Sequence, residues 1–287
     1  MKICRFNDQR LGVIDGDSVI DISAALDILP TVRYPLPPGD PLITHLPEVR
    51  AVAEQLQDSA PRLLLKDVRL LSPVANSSKI IGAPINYNDH IAESRKDDGI
   101  AHGRKVTTIH DWGLFLKSST SLIGFGEQIV LRHGERRNDH ECELAVVIGK
   151  HCSQISPDKA LHYVAGYSIG LDITLRGPEF QCWRKSIDTY SVLGPWLVTT
   201  DELGSPDDLG LSLSVNGELR QDSSTRHLIM GVAELISWAS GMYTLLPGDI
   251  IMTGTPAGVG PLVPGDRVEA SIQSVGRASI QVADHYA

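Results

Sequence analysis

With 287 residues, of which 42% are hydrophobic and 21% charged, the chain has the composition of a globular protein and enough length to bury a substantial core. The formal net charge is -9 and no block of basic residues occurs, which excludes a surface built for nucleic acid or for an anionic membrane. The chain has no long apolar run, no secretory signal at its start and no CxxC pair among its four cysteines. The sequence therefore predicts a cytoplasmic protein with reduced thiols and no membrane span.

The first 72 residues are predicted to form a small N-terminal domain. Alternating apolar residues indicate strands at Met1–Phe6, Arg10–Ile14 and Val19–Ile22. The Asp15-Gly16 pair between the second and third strands is typical of a tight hairpin turn. A proline-rich loop follows, and a helix is predicted at Leu46–Asp58.

Residues 73–287 are predicted to form a larger domain rich in strands. The predicted strands are Lys79–Ile81, Leu114–Lys117, Gln128–Leu131, Glu141–Ile148, Tyr163–Asp172, Trp196–Thr199, Leu211–Val215, Ile250–Thr253 and Val268–Ile272. Helical segments are predicted at Asn86–Glu93, at Ala160–Tyr163 and at Met230–Gly241. The polar stretch Glu93–Trp112 is long for a plain connection and is a candidate mobile lid. Together these elements predict an α+β protein, mostly β, with a closed or rolled mixed sheet.

Three acidic residues at the ends of apolar strands form the most informative pattern. Glu141 and Glu143 are two apart in a predicted strand, so their side chains share a face, and a run of apolar residues follows them. Asp172 ends a second apolar strand. An isolated pair of this kind is usually a solvated edge, but three carboxylates at the ends of buried strands suit a hard cation such as Mg²⁺ or Mn²⁺. His151 and Cys152 could suggest zinc, but their spacing matches no zinc motif, and they are interpreted as structural.

Five segments, taken together in order and spacing, resemble the fumarylacetoacetate hydrolase family. They are Gly82–His90 (GAPINYNDH), Phe115–Lys117 (FLK), Glu141–Ile148 (ECELAVVI), Gly166–Asp172 (GYSIGLD) and Thr253–Gly260 (TGTPAGVG). The resemblance extends from about Lys79 to Gly260, and the leading strands are similar to the small N-terminal domain of the family.

The resemblance implies a rolled, mostly β catalytic domain at 73–287, a bound Mg²⁺ or Mn²⁺ and a homodimer. It implies that the three carboxylates, Glu141, Glu143 and Asp172, are the metal ligands. The implied catalytic residues are His90, Glu93 and Lys185, and the implied substrate-binding residues are Lys117, Arg176 and Thr255.

His90 and Lys185 also have simpler interpretations, as an exposed histidine on a helical turn and a solvated surface lysine. The i, i+3 spacing of His90 and Glu93 places both on one helix face, where the carboxylate would orient the imidazole as a general base. Lys185 would stabilise an oxyanion or enolate as it develops.

Some positions depart from the family pattern or stay undecided. Gln181 lies further on than the glutamine of many members, so no role is transferred to it, and Ser118 stands where a proline is usual. The undecided lid residues, any of which could clamp a substrate carboxylate, are His102, Arg104, Lys105 and His110. The tryptophans interpreted as packing residues are Trp183, Trp196 and Trp238.

The function predicted from these residues is metal-dependent hydrolysis of a C–C bond in an acylpyruvate-like 1,3-dicarbonyl acid, as in the breakdown of aromatic compounds. One alternative is isomerisation or decarboxylation of an unsaturated 2-oxo-diacid at the same metal site. A second alternative, from another class, is a metal- or metabolite-binding protein without catalysis. No nucleic-acid or membrane partner is expected; the expected partners are a small oxo-acid and a second copy of the chain.

Overall fold

Most regular segments of the chain are strands, in a computed structural model that describes residues 1–285. The strands are β1 (Lys2–Phe6), β2 (Arg10–Asp15), β3 (Ser18–Asp21), β4 (Arg62–Leu64), β5 (Leu70–Leu71), β6 (Ile80–Gly82), β7 (Phe115–Lys117), β8 (Leu122–Ile123), β9 (Gln128–Leu131), β10 (Asn138–His140), β11 (Cys142–Ile148), β12 (Val164–Asp172), β13 (Thr174–Leu175), β14 (Ser191–Thr199), β15 (Gly210–Val215), β16 (Glu218–Ser224), β17 (Ile250–Met252), β18 (Gly260–Pro261), β19 (Arg267–Ile272) and β20 (Gly276–Asp284). The α-helices are α1 (Pro41–Thr44), α2 (Leu46–Leu56), α3 (Asn88–Lys96), α4 (Asp98–Ala101), α5 (Ile109–Trp112), α6 (Pro157–Ala160), α7 (Gln181–Arg184), α8 (Thr200–Leu203) and α9 (Val232–Met242). Short 3-10 helices lie at Ser23–Ile28, Leu65–Asp67, Ser119–Ser121, Leu161–Tyr163 and Thr225–His227.

The strands form three sheets, and the largest carries the core of the molecule. Its path runs β4-β3-β2-β1-β14-β12-β11-β17-β6-β7, while β5 pairs with β1 and β8 pairs with β14. A five-stranded sheet has the order β16-β15-β19-β20-β9, and a three-stranded sheet has the order β13-β10-β18. Both parallel and antiparallel pairs occur, so the predicted mixed, mostly β, α+β class is confirmed. Within residues 1–285 the long path has two ends, so the prediction of a closed sheet is wrong.

The N-terminal strands continue the main sheet. Strand β1 pairs antiparallel with β14 in the register Lys2↔Val198 and Ile3↔Leu197. Helix α2 packs on the same region through Leu46, Val49 and Ala53. The division of the chain at residue 72 therefore crosses a continuous sheet, and it stays a prediction.

The predicted lid contains regular structure of its own. The stretch Glu93–Trp112 includes the end of α3 and the two short helices α4 and α5. The side chain of Asp97 caps α4 by accepting a hydrogen bond from the backbone N–H of Gly99. None of the helices in residues 1–285 is both long and apolar enough to cross a lipid bilayer.

Strands β11 and β12 lie in the middle of the main sheet and are covered on both faces. Leu144 and Val146 of β11 belong to one hydrophobic cluster, while Ala145 and Val147, which point the other way, belong to a second. Every residue of β11 is buried. Glu141 and Glu143, at the start of β11, are therefore anchored to the buried centre of the main sheet.

Removal of side-chain volume from this centre should destabilise the whole fold. Ile169 of β12 is fully buried in the larger cluster, so Ile169→Ala should lower the free energy of unfolding by about 2–5 kcal/mol and Ile169→Val by about 1 kcal/mol. Urea titration followed by circular dichroism measures both changes. The matched control is Leu219→Ala on the exposed face of β16, which should change the value by less than about 0.5 kcal/mol. A cost at Ile169 no larger than that at Leu219 would contradict this description of the core.

Candidate active site

Three carboxylates meet where β11 begins and β12 ends. Glu141 stands just before β11, Glu143 is its second residue, and the backbone N–H of Asp172 donates to the carbonyl of Glu141 at 3.0 Å. One oxygen from each carboxylate lies within 4.8 Å of the others. The exposed fractions of the three residues are 5%, 2% and 1%, so the solvated-edge interpretation of this acidic pair is wrong. A buried set of oxygen donors at this spacing fits a hard divalent cation.

Cationic side chains surround the three carboxylates. Lys185 Nζ lies 2.9 Å from a Glu141 oxygen and 2.7 Å from an Asp172 oxygen. Lys117 Nζ donates to the other Asp172 oxygen, and Arg176 Nη2 donates to Glu141 at 3.0 Å. The cluster therefore balances three negative charges with three positive ones inside the core.

This arrangement moves the pKa values of the two glutamates in opposite directions. Burial alone would raise the pKa of Glu141, but Lys185 and Arg176 outweigh it and hold that pKa well below its usual range. Burial raises the pKa of Glu143, and the charges of Asp172 and Glu141 raise it further. A divalent cation would relieve the repulsion that Glu143 experiences.

A histidine–glutamate pair lies beside the carboxylates on helix α3. His90 Nδ1 lies 2.9 Å from Glu93 Oε2, and Glu93 Oε1 accepts the backbone N–H of Gly258 at 2.9 Å. Because the carboxylate faces Nδ1, it favours the tautomer that carries its proton there, which leaves Nε2 as the proton acceptor. His90 is buried and lines the cavity described below, so the exposed-histidine interpretation is wrong.

The turn after β17 binds to the strand that carries the glutamates. The backbone N–H of Gly254 donates to Glu143 at 2.7 Å, and the Thr255 hydroxyl donates to the carbonyl of Cys142 at 2.9 Å. Gly254 has φ +99°, and a Cβ there would lie 2.7 Å from the Cβ of Asn86, so glycine is required. The buried Gln221 amide joins the same parts by donating to Thr255 and accepting the N–H of Cys142.

These side chains face a cavity of about 60 Å³, enough for about two water molecules. Seven of the nine predicted site residues line it, namely His90, Glu141, Glu143, Asp172, Arg176, Lys185 and Thr255. The other two stand behind this wall: Glu93 supports His90, and Lys117 is buried between Asp172 and the carbonyl of Tyr190. From the predicted lid, Ile100, Arg104 and Trp112 also line this cavity.

A chain of ion pairs connects the lid to the carboxylates. Arg137 donates to Asp97 and to the fully buried Asp139, each at 2.8 Å. The second oxygen of Asp139 accepts Arg176 Nε at 2.7 Å, and Arg176 also binds Glu141. The start of helix α4 is thereby joined to a predicted metal ligand through alternating charges.

The sequence pattern missed several residues of this region. Those that line the cavity are Ser94, Gln181 and Arg184. Of the four candidate lid residues named from the sequence, Arg104 lines it as well. A cationic neighbour of Lys185 was visible in the sequence as Arg184, but nothing local showed that it faces inward. Trp183 is 54% exposed, and its interpretation as a packing residue stays a prediction, whereas Trp196 is buried and donates to the carbonyl of Val275.

Comparisons with known proteins agree with the family resemblance seen in the sequence. Residues 79–283 match the family model described as fumarylacetoacetate (FAA) hydrolase C-terminal. The chain is 56% identical over 284 residues to maleylpyruvate hydrolase of Aquipseudomonas alcaligenes, covering 98% of this chain and 99% of that protein. It is 35% identical over 301 residues to 2,4-didehydro-3-deoxy-L-rhamnonate hydrolase of Sphingomonas sp. (strain SKA58), covering 99% and 96%. The crystal structure of maleylpyruvate hydrolase from Sphingobium sp. SYK-6 in complex with manganese(II) ion and pyruvate superposes with a TM-score of 0.82, at 35% identity and 99% coverage of both chains.

Neutralising Glu143 should stabilise the metal-free protein and remove its response to metal. The pKa of Glu143 is raised above 4.5 in the folded state, so the folded protein holds a proton that the unfolded chain has released. The stability that Glu143 contributes in its protonated form is therefore present at low pH, and it is lost as pH rises through the raised pKa of this residue. In EDTA, Glu143→Gln should exceed wild type in unfolding free energy at pH 8, and the difference should shrink toward pH 5.

Thermal unfolding with and without Mn²⁺ provides the second half of this test. Wild type should gain melting temperature as Mn²⁺ is added, because the ion binds the folded state, while Glu143→Gln should gain little. The control is Glu54→Gln on the exposed surface of α2, which should behave as wild type. Equal Mn²⁺ stabilisation of the Glu143→Gln protein and wild type would contradict the assignment of Glu143 to the metal.

Proposed function

The chain belongs to the fumarylacetoacetate hydrolase family, and from this membership and the site geometry we propose the reaction it performs. It is a metal-dependent hydrolase that cleaves the C–C bond of an acylpyruvate, a 1,3-dicarbonyl acid, into pyruvate and a carboxylic acid. The observation that carries the proposal is the buried Glu141, Glu143 and Asp172 cluster beside the His90–Glu93 pair. Maleylpyruvate, on which the relative at 56% identity acts by name, is the first candidate substrate.

Glu141, Glu143 and Asp172 would hold Mg²⁺ or Mn²⁺. When bound, the metal supplies Lewis-acid polarisation of the oxo-acid end of the substrate and fixes its orientation. Lys117 keeps Asp172 in place from behind, so we propose that it positions this ligand and acts on the substrate only through it. Arg176 does the same for Glu141 and also faces the cavity, where it can bind the substrate carboxylate.

His90 is the proposed general base. Its Nε2 takes a proton from a water molecule, whose oxygen adds to the acyl carbonyl carbon of the substrate. Glu93 orients the ring and stabilises the imidazolium that forms. Ser94 lies one helical turn after His90, and its buried hydroxyl, without a hydrogen-bond partner in residues 1–285, offers the water a second contact.

Cleavage follows when the tetrahedral carbon collapses to a carboxylic acid. The electron pair of the broken C–C bond passes to the pyruvate fragment as an enolate, which takes back the proton from His90 and leaves as pyruvate. Lys185 carries its positive charge beside this position and stabilises the enolate, and Thr255 lines the same wall. One water is consumed, and its atoms are divided between the two products.

The lid is placed to control substrate entry. The lid residues Ile100, Arg104 and Trp112 line the cavity of about 60 Å³ together with the carboxylates. Arg104 joins the lid to the wall by donating to the carbonyls of Pro178 and Glu179, and Asp97 joins it to Arg137. We propose that these contacts break for entry and re-form to exclude water.

The alternative reaction, isomerisation or decarboxylation of an unsaturated oxo-diacid, would use the same carboxylates. Hydrolysis is favoured because the relative that is 56% identical over 98% of this chain is a hydrolase by name. A non-catalytic binding protein is less favoured, since metal binding alone would need neither the His90–Glu93 pair nor the unpaired Ser94 hydroxyl.

Three further properties complete the proposal. Residues 1–72 would act as a small leading domain to the catalytic domain at 73–287. A cytoplasmic location suits the four free thiols, three of which are buried.

A homodimer would cover exposed aromatic side chains such as Phe180 and Trp183. Light scattering of the purified protein gives the oligomeric state directly.

Purified protein with Mn²⁺ or Mg²⁺ should convert maleylpyruvate and other acylpyruvates into pyruvate and the matching acid. EDTA should abolish turnover, and added Mn²⁺ should restore it, because the carboxylates alone supply no Lewis acid. Loss of substrate absorbance combined with enzymatic detection of pyruvate measures the reaction. Release of CO₂, or a product of unchanged mass, would instead select the alternative reaction.

Replacement of the proposed base should separate catalysis from metal binding. His90→Asn should lower kcat by about 10²–10⁴-fold while leaving Mn²⁺ affinity within a few-fold of wild type. Glu93→Gln should lower kcat by about 10–100-fold, less than the loss at His90, because Glu93 acts through His90. Steady-state kinetics and Mn²⁺ titration test this, with exposed His162→Asn as the control. A His90→Asn enzyme of wild-type kcat would exclude His90 as the base.

A further inference from the structure

Arg184 is a buried guanidinium that lacks a carboxylate partner. It is the last residue of α7, is 6% exposed and lines the cavity. Its Nε donates to the carbonyl of Glu179 at 3.1 Å and its Nη1 to the carbonyl of Leu175 at 3.4 Å. No ion pair or hydrogen bond engages Nη2 within residues 1–285. Arg176, which is equally buried, binds both Asp139 and Glu141.

A buried cation without a direct carboxylate partner is costly, so its presence needs a reason. Burial lowers the pKa of Arg184 to about 10, and the nearby charge of Arg176 contributes in the same direction. The side chain therefore stays charged at neutral pH. The two carbonyl contacts could tether α7, but a neutral amide could make contacts of that kind without burying a charge. The tether alone does not explain an arginine.

A second cation of the cavity wall also lacks a carboxylate partner within residues 1–285. Arg104 of the lid faces this space, donates only to the carbonyls of Pro178 and Glu179, and forms no ion pair within the described part of the chain. The charged residues of the wall are four cations, Arg104, Arg176, Arg184 and Lys185, and three carboxylates, Glu141, Glu143 and Asp172. Arg176 is already paired with Asp139 and Glu141, and Lys185 with Glu141 and Asp172, so Arg104 and Arg184 are the wall cations without a carboxylate partner in residues 1–285. A substrate with two carboxylates compensates this field better than a substrate with one.

We propose that Arg184, assisted by Arg104 of the closed lid, binds a carboxylate at the acyl end of the substrate. The preferred substrates are then acylpyruvates whose acyl group ends in a second carboxylate, and acylpyruvates with an uncharged acyl group are poor substrates. This inference rests on the proposed hydrolase function and adds the residue that determines specificity. The open Nη2 and the planar guanidinium provide the geometry for a carboxylate.

The test compares two substrates across four proteins. Wild type, Arg184→Gln, Arg184→Lys and the exposed-surface control Arg33→Gln are assayed with Mn²⁺ on maleylpyruvate, which carries the second carboxylate, and on acetylpyruvate, which does not. Arg184→Gln should lower kcat/KM for maleylpyruvate by about 100-fold, mostly through KM, and change the value for acetylpyruvate by less than about threefold. Arg184→Lys should recover part of the loss because it keeps the charge. Arg33→Gln should match wild type on both.

A second measurement does not depend on turnover. In EDTA, maleate should raise the melting temperature of wild type more than acetate does, and Arg184→Gln should lose this difference. Circular dichroism and the melting temperature without ligand establish that each variant is folded.

The outcomes separate the inference from the proposed function. If wild type releases pyruvate from at least one compound but Arg184→Gln lowers both activities by the same factor, Arg184 is structural and the inference is overturned. An unchanged ratio of the two kcat/KM values overturns it as well. If wild type releases pyruvate from neither compound, the proposed function fails and the inference fails with it.

Discussion

The repulsion among three buried carboxylates is the constraint on which the active-site architecture depends. Glu141, Glu143 and Asp172 are placed by the pairing of β11 with β12, so they cannot move apart without breaking the centre of the main sheet. Their charge is met by Lys117, Lys185 and Arg176. The raised pKa of Glu143 is the part of the repulsion that these cations leave uncompensated. Because its carboxylates repel one another when no metal is bound, the site is suited to bind a cation. The same repulsion lowers the stability of the metal-free protein.

The same charge chemistry extends outward to the lid. Arg137 and Arg176 share Asp139, and through it Asp97 of the lid is joined to Glu141. In such an alternating chain each charge is stabilised by the next, so a displaced lid removes one counter-ion from Arg137 and weakens the series. Closure of the lid and the orientation of a metal ligand thus depend on a common set of contacts. This connection explains why Asp139 is fully buried although it faces no substrate.

How much of this was predictable depended on whether the signal was local. The apolar runs of β11, β12 and β17 and the helical spacing in α9 identified these elements, and the i, i+3 spacing of His90 and Glu93 identified a pair that is 2.9 Å apart in the structure. Strand β16, with the sequence ELRQDSS, was missed because its exposed face is polar, and β20 was missed because Gly276 and mixed polarity hide its alternation. The family resemblance implies a substrate-binding lysine at position 117, but only the packing of β7 against β6 and the contact with Tyr190 show that its amine lies behind Asp172.

The cavity has two ends that are built by different parts of the fold. The carboxylate end is set by strand pairing in the sheet centre, where backbone register leaves little freedom. The other end is formed by α7 and the lid, short elements joined by carbonyl contacts from Arg104 and Arg184. Side chains on such segments can change without disturbing the sheet, because they carry little of the core. A charged residue there, next to the Lys185 supplied by the same turn, can select the acyl group while the bond-breaking end stays constant. Arg184, in α7 and next to Lys185, is therefore the position where a change in substrate preference would cost the fold least.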